Sequence, residues 1–165
     1  LFDALIKIKD KNLWYLNIVG DGPLKKELIK KAKELHLDKN IHFHGWKNRE
    51  QLLRFYKNND IFLLPSRDEG MPNVMLEAMA SGLAIIGTKV SGLEEVIIND
   101  KNGLLVEKEN PHELYEVIER LIRNKNIVSE LGNNASSFVK KNYSWRSVAQ
   151  SYMYLLEHVS EKTNE

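Results

Sequence analysis

Short apolar runs alternate with longer amphipathic stretches along the whole chain. The runs are four to seven residues long and rich in Ile, Val, Leu or aromatic residues, and they cover 13–19, 41–44, 61–64, 83–86 and 103–106. Gly or Pro directly follows four of them. Continuous apolar runs of this length, ended by such residues, are typical of strands that are buried on both faces of a parallel sheet.

The stretches between the runs have the spacing of amphipathic helices. Pro23 is placed to start the first helix, Asn48 to cap the second and Pro111 to open the third. Two further helices are predicted over roughly 126–141 and 145–159. Because strands that alternate with helices imply right-handed crossovers, the pattern predicts a Rossmann-like, doubly wound α/β fold with a parallel sheet and helices on both faces.

Composition and charge narrow the classes of function. The 24 Lys and Arg residues nearly balance the 23 Asp and Glu residues, so we expect no nucleic-acid binding driven by bulk charge. The chain has no cysteine, which excludes thiolate zinc sites, cysteine nucleophiles and redox dithiols. No apolar run approaches the roughly 20 residues that cross a bilayer, and no signal peptide is visible. We therefore expect a single cytoplasmic domain over 1–165.

The loop after the third run leads into a helix that is suited to binding an anion. Ligands of doubly wound sheets bind beyond the carboxyl ends of the strands, which is where this loop lies. Pro72 fits the first position of a helix over 72–81, and Gly82 is a natural stop. The free N–H groups of the first turn, around Asn73 and Val74, point back into the cleft. Together with the helix dipole they predict a phosphate site.

Two carboxylates flank this predicted phosphate site. Glu69 precedes the helix and Glu77 lies within it, and Gly70 permits a close approach of the ligand. A carboxylate can accept hydrogen bonds from both hydroxyls of a diol, such as the diol of a ribose or a sugar. One Glu for each diol, with a phosphate cradle between them, predicts a site for a sugar–diphosphate–ribose. The alternative is that both glutamates are ordinary surface residues.

The residues of this stretch match a known pattern. Positions 69–82 read Glu-Gly-Met-Pro-Asn-Val-Met-Leu-Glu-Ala-Met-Ala-Ser-Gly. With seven residues between its two glutamates, this segment resembles the signature of family 4 retaining glycosyltransferases. Further segments resemble the family in order and spacing: 18–23, 41–45, 60–66, 92–97 and 102–106. The resemblance covers essentially the whole chain. It implies a GT-B architecture, whose C-terminal Rossmann-like domain binds a nucleotide-sugar donor.

The resemblance implies a role for each residue of the signature. Glu69 would be the catalytic residue and would position the transferred sugar through its hydroxyls, without attacking it. Glu77 would bind the ribose hydroxyls. Main-chain N–H groups of this stretch would hold the sugar and the β-phosphate, and they come from Gly70, Met71, Asn73 and Val74. Pro72, which has no N–H, would belong to the same donor-binding stretch.

The resemblance also assigns two loops to the end of the donor site that would bind the nucleotide base. Gly20 and Gly22 belong to the first, and Gly45 and Trp46 to the second, where Trp46 could stack on the base. The resemblance implies an NDP-sugar, with UDP-sugar preferred, as a substrate, no cofactor and no metal ion. It also implies a hexosyltransferase-like enzyme of polysaccharide or glycolipid biosynthesis, which transfers to a saccharide or a lipid-linked acceptor.

The chain departs from the family pattern at its start. The family's domain opens with a strand ending in Gly-Arg and followed by Lys, whereas the segment from Leu1 to Ile6 already resembles the next helix. Three explanations are open: the preceding segment was removed, another piece fills its place, or the sheet closes up differently. Without that strand and the N-terminal acceptor domain, we expect the chain alone to be inactive and to bind donor weakly at best.

Two alternative functions and the roles of three residue groups are considered beside this interpretation. The protein could be a nucleotide-sugar-binding module without transfer, or a GT-B-type nucleotide-sugar epimerase. His42 and His44 alternate on a predicted strand and are expected to be structural. The methionines at 71, 75 and 79 are expected to fill the core. The lysines of 25–33 form either a solvated helix face or a contact with anionic headgroups at the inner membrane.

Overall fold

The computed structural model describes residues 1–162, and side-chain surroundings for residues 1–158. The last three residues of the predicted domain, 163–165, lie outside the described part. The strands are β1 (Leu16–Val19), β2 (Ile41–Gly45), β3 (Ile61–Leu64), β4 (Ala84–Thr88) and β5 (Leu104–Val106). The α-helices are α1 (Phe2–Leu5), α2 (Lys25–Glu34), α3 (Arg49–Lys57), α4 (Asn73–Ala80), α5 (Ser91–Glu94), α6 (Pro111–Arg123), α7 (Lys125–Asn142) and α8 (Trp145–Lys162).

The predicted starts of the first strand and of the first amphipathic helix are wrong, each for a local reason. The first apolar run becomes a strand only at Leu16, because Asp10 caps a 3₁₀ helix over Lys11–Leu13. Helix α2 begins at Lys25 rather than at Pro23, since the Lys25 N–H donates to the Gly22 carbonyl and closes a turn there. Both differences arise from backbone turns that the apolar periodicity does not report.

Other predicted caps are confirmed. Asn48 caps α3 in a capping box with Gln51, and Pro111 is the first residue of α6. Gly82 follows α4 with a φ of +86°, a conformation that favours glycine. The two predicted C-terminal helices correspond to α7 and α8. The sequence therefore contains most of its helix start and stop signals.

The parallel sheet is confirmed, but it is divided into two parts. Strand β1 pairs with β2, and the order of the other part is β3-β4-β5. Within the described residues no backbone hydrogen bond joins β1 to β3. Apolar side chains of both strands instead line a cleft of about 570 Å³, among them Leu16, Ile18, Ile61 and Leu63. The sheet does not close up where the opening strand was expected.

The prediction that the strands are buried on both faces is confirmed for β4 and is wrong for β1 and β3. All five residues of β4 are buried, whereas every residue of β1 and β3 is half-buried. The reason is that β4 lies between two other strands and beneath helices on both sides, while β1 and β3 border the cleft.

The two faces of β4 pack into two separate cores. Ala84 and Ile86 lie in a cluster with side chains of α1, α2 and α6. Ile85 lies in the other cluster, with side chains of α3, α4, α5 and α7. Because successive strand residues point to opposite faces, this division places helices on both sides of the sheet. The Rossmann-like, doubly wound α/β fold class is thereby confirmed.

The prediction that the methionines at 71, 75 and 79 fill the core is confirmed for two of the three. Met75 and Met79 are fully buried in the core beneath α4. Met71 is 45% exposed, since α4 begins only at Asn73 and Met71 lies in the loop before it. Met71 is therefore available to a ligand at this edge of the sheet.

Candidate functional site

The signature loop lies at the carboxyl edge of β3, β4 and β5. It leaves β3 at Pro65 and enters α4 at Asn73. A cavity of about 370 Å³ adjoins it, lined by residues that follow or end these three strands, including Ser66, Thr88 and Glu107. Parallel strands place their carboxyl ends at a common edge, where doubly wound folds bind ligands.

Glu69 is half-buried and is held by its own loop. Its Oε1 accepts a hydrogen bond of 2.8 Å from the Ser66 hydroxyl. The Ser66 carbonyl in turn accepts a hydrogen bond from the hydroxyl of Thr88, a buried residue at the end of β4. The carboxylate is therefore connected through two hydroxyl groups to the most deeply buried strand.

Helix α5 holds the same loop from the other side. The Gly92 N–H donates to the Glu69 carbonyl at 3.2 Å. A Cβ at position 92 would lie 1.2 Å from the Gly70 carbonyl oxygen, so only glycine permits this approach. At Gly70 itself a Cβ would meet nothing within 4 Å, and its φ is not positive. The space beside Gly70 is open to a ligand, and its backbone conformation does not require glycine.

Glu77 lies on α4 and is also half-buried. Its Oε2 accepts a hydrogen bond of 3.2 Å from the hydroxyl of Tyr56 on α3. Burial, followed by the nearby Glu77 charge and this hydrogen bond, raises the pKa of Tyr56 to about 12. The phenol therefore stays protonated at neutral pH and donates to the carboxylate.

The N-terminus of α4 has free backbone donors between the two carboxylates in sequence. Pro72 was predicted to be the first residue of the helix, but its backbone is extended, so it is the N-cap residue and the helix begins at Asn73. No side chain caps the helix. Among the described residues, no group accepts a hydrogen bond from the Asn73 or Val74 N–H. Val74 is 39% exposed. Free N–H groups at the positive end of a helix dipole can bind a phosphate oxygen.

The two glycine loops of the predicted base end lie side by side. Gly20 and Gly45 both have positive φ, and the Gly20 N–H donates to the Gly45 carbonyl at 2.9 Å. Gly22 has open space around a hypothetical Cβ. Trp46 follows Gly45 and is 72% exposed. The structure thus brings the four predicted residues of this end together at the carboxyl ends of β1 and β2.

Asp21 links these two loops. One carboxylate oxygen accepts from the Trp46 N–H at 2.8 Å, and the other accepts from the Lys25 ammonium at 2.6 Å. These two hydrogen bonds, chiefly the one from Lys25, hold the pKa of Asp21 below its usual value. Asp21 therefore stays charged and fixes the backbone from which the exposed indole projects.

Arg67 and His44 each have a partner within the chain. Arg67 pairs with Glu109 at 3.0 Å, and both partners are exposed, so the pair adds little stability. The Nε2–H of His44 donates to Asn17 Oδ1 at 2.7 Å. Within the described residues, no three His, Cys, Asp or Glu side chains lie close enough together to hold a metal ion. Among the same residues, no helix has both the length and the hydropathy of a membrane span.

The basic face of α2 is partly neutralised by acidic neighbours. Lys25 pairs with Asp21, Lys30 with Glu34 and Lys31 with Asp3. These ion pairs reduce the positive charge that the helix face presents.

Sequence reasoning missed the residues that support the carboxylates. Glu77 is supported by Tyr56, and Glu69 by Ser66. The loop that carries Glu69 is held by Thr88 and Gly92. Ser66 lies three residues before Glu69, so its spacing was a usable signal. The other three come from separate elements and meet the site only in the folded chain.

Comparison with known proteins identifies similar chains. A family model for glycosyl transferases group 1 matches residues 1–138. The uncharacterized glycosyltransferase MJ1178 of Methanocaldococcus jannaschii is 35% identical over 161 residues. That match covers 98% of this chain and 44% of MJ1178, so the chain spans less than half of that relative.

Solved structures show the same architecture. The C-terminal domain of the glycosyl transferase group 1 family protein LpcC from Francisella tularensis is 31% identical, with a TM-score of 0.80 over 87% of this chain and 77% of that chain. Anabaena HepE, solved in complex with UDP and glucose, has a TM-score of 0.84 over 95% of this chain and 43% of that chain. At 21% identity, HepE shows a shared fold alone.

Proposed function

The chain belongs to the family of glycosyl transferases group 1, and we propose that it is the donor-binding half of a retaining glycosyltransferase. The donor is a nucleotide-sugar, with UDP-sugar preferred, and the acceptor is a saccharide or a lipid-linked molecule. The fold supports this proposal, because the LpcC domain with the same architecture is a C-terminal domain of a family member.

The observation that carries the proposal is a pair of half-buried glutamates that flank, in the sequence, a helix N-terminus with free N–H groups. Glu69 accepts from Ser66 and Glu77 from Tyr56, and the N–H groups of Asn73 and Val74 lie between them in sequence. Two diol acceptors with an anion site between them match a sugar, a diphosphate and a ribose in that order. HepE, which shares the fold, was solved with UDP and glucose.

The resemblance to retaining family members supplies the proposed chemistry. The bond from the sugar's anomeric carbon to the phosphate oxygen breaks, and a bond to the acceptor hydroxyl oxygen forms on the same face. The acceptor proton passes to the leaving diphosphate. Glu69 orients the sugar hydroxyls and stabilises positive charge on the ring, while the α4 N–H groups stabilise the departing anion.

We propose that the whole enzyme needs more than this chain. The cleft between β1 and β3 is apolar and bordered by two unpaired strand edges, which fits one further strand. The family's Gly-Arg and Lys, which would neutralise the diphosphate, follow that strand. An acceptor domain is also required. We therefore propose that the 165-residue chain alone binds donor weakly and transfers nothing.

The test is a thermal-shift screen of the intact protein with UDP-, GDP- and ADP-sugars. One donor should raise the melting temperature, because a ligand that binds only the folded state stabilises it by mass action. Glu77→Ala should abolish the shift, since the ribose loses its acceptor.

Two outcomes would count against the proposal. A shift that survives Glu77→Ala unchanged would remove Glu77 from the ribose site. Sugar transfer by the 165-residue chain alone, followed by mass spectrometry of an added acceptor, would contradict its role as a donor-binding half.

A further inference from the structure

Each of the two site carboxylates has one neighbouring hydroxyl group. Tyr56 donates to Glu77 Oε2 at 3.2 Å, and Ser66 donates to Glu69 Oε1 at 2.8 Å. Among the described residues, the second oxygen of each carboxylate has no hydrogen-bond partner. Each glutamate is therefore anchored through one oxygen and keeps the other free for a ligand.

Tyr56 is itself fixed by packing. Its side chain is 5% exposed, and its ring meets the Phe62 ring edge-on with centroids 6.2 Å apart. It belongs to the buried cluster that contains Met75 and Ala78 of α4, the helix that carries Glu77. The phenol therefore cannot turn away from the carboxylate without disturbing the core.

Ser66 is fixed by a different element. Its carbonyl accepts from Thr88, which is 5% exposed at the end of β4. The Ser66 backbone is therefore tied to the sheet, and its hydroxyl is directed at a carboxylate three residues further along the same loop. No described contact connects this pair to Tyr56 or Glu77.

We infer that Tyr56 and Ser66 are positioning residues that orient Glu77 and Glu69, respectively, before the donor binds. This inference rests on the proposed function. A glutamate that is already oriented loses less side-chain entropy when it binds a diol, so the affinity for that diol is higher. Because the two supports come from different elements, the nucleoside end and the sugar end of the donor are supported separately.

The test is an NMR titration of the ¹⁵N-labelled chain, which measures weak affinities. The probes are UDP, GDP and ADP, and the glucose conjugate of whichever diphosphate binds best. Tyr56→Phe should raise the Kd for the diphosphate and for its glucose conjugate by the same factor, on the order of ten-fold, because both probes contain the ribose. Ser66→Ala should raise the Kd for the conjugate only.

Matched variants distinguish a loss of binding caused by a misoriented glutamate from a loss of binding caused by unfolding. In a Glu77→Ala background, Tyr56→Phe should weaken the remaining binding no further, since the acceptor that Tyr56 orients is gone. Ser66→Thr keeps the hydroxyl and should restore the affinity that Ser66→Ala loses. Tyr115→Phe on α6, where the hydroxyl has no described partner, should leave both Kd values unchanged. Melting temperatures of all variants show whether each one is folded.

The outcomes distinguish the two proposals. If the unmodified chain and the intact protein bind none of the three diphosphates, the proposed function is wrong. If the diphosphate binds and folded Tyr56→Phe retains the original Kd, the positioning role of Tyr56 is wrong while the function stands. If Ser66→Ala weakens the diphosphate and the conjugate equally, the separate support of the two ends is wrong.

Discussion

At the scale of single residues, the shape of the signature loop depends on a glycine outside it. Gly92 lies against the Gly70 carbonyl and donates its N–H to the Glu69 carbonyl. The contact is between two backbone segments, which cannot rotate away as a side chain can. The identity of residue 92 therefore helps to set the position of Glu69.

We expect Gly92→Ala to displace the loop and to destabilise the chain by about 1–3 kcal/mol, because its Cβ would overlap the Gly70 carbonyl. Chemical denaturation measures the loss, and the NMR titration should show weaker binding of the sugar conjugate. Gly22→Ala is the control for stability, since its Cβ would meet nothing within 4 Å. Equal stability of the two variants would contradict the steric explanation.

At the scale of elements, helix α3 connects a local cap to the functional site. Asn48 accepts from the Gln51 N–H at 3.0 Å, and the Gln51 side chain accepts from the Asn48 N–H at 3.1 Å. This capping box begins the helix whose eighth residue is Tyr56. A short helix is marginal by itself, so its caps and packing determine how firmly Tyr56 is held.

Removing the cap should therefore cost stability. We expect Asn48→Ala to lower the free energy of unfolding by about 1 kcal/mol, because a backbone donor of the first turn loses its acceptor. Asn48→Asp keeps an acceptor and should be nearly neutral. Urea unfolding checks both variants: the midpoint of Asn48→Ala should fall with an unchanged slope. An Asn48→Ala midpoint equal to that of Asn48→Asp would contradict the role of the cap.

At the scale of the whole molecule, the divided sheet is the main structural peculiarity. Two side-chain hydrogen bonds span the start of the gap, from Asn17 to Asn59 and from Tyr15 to the Asn58 carbonyl. Beyond them, β1 and β3 have backbone groups without partners in the described residues. Unpaired strand edges around an apolar cleft are costly, which makes this gap the weakest part of the sheet.

Hydrogen exchange tests this description. In the 165-residue chain, the amides of β1 and β3 that face the cleft should exchange much faster than those of β4, which is paired on both sides. In the intact protein the same amides should be protected, because we propose that a further strand fills the cleft. Equal protection of β1, β3 and β4 in the short chain would show that the gap closes in solution.

Much of the fold could be predicted from local signals. The apolar runs locate all five strands, and residues such as Asn48, Pro111 and Gly82 mark helix ends, because caps and turns act over three or four neighbouring positions. The start of β1 was predicted wrongly, since the last residue of the 3₁₀ helix, Leu13, and the two residues after it are also apolar. The same local signals placed Glu69, Glu77 and the free helix N-terminus at one edge of the sheet.

The sequence by itself determined the fold class, the candidate carboxylates and the family, because these depend on residue types at fixed spacings along the chain. Only the tertiary structure decided which groups support those carboxylates and whether the sheet is continuous. Tyr56 meets Glu77 across 21 positions, and Thr88 meets Ser66 across 22. Contacts between distant segments depend on how helices and strands pack in three dimensions, which no spacing along the chain records.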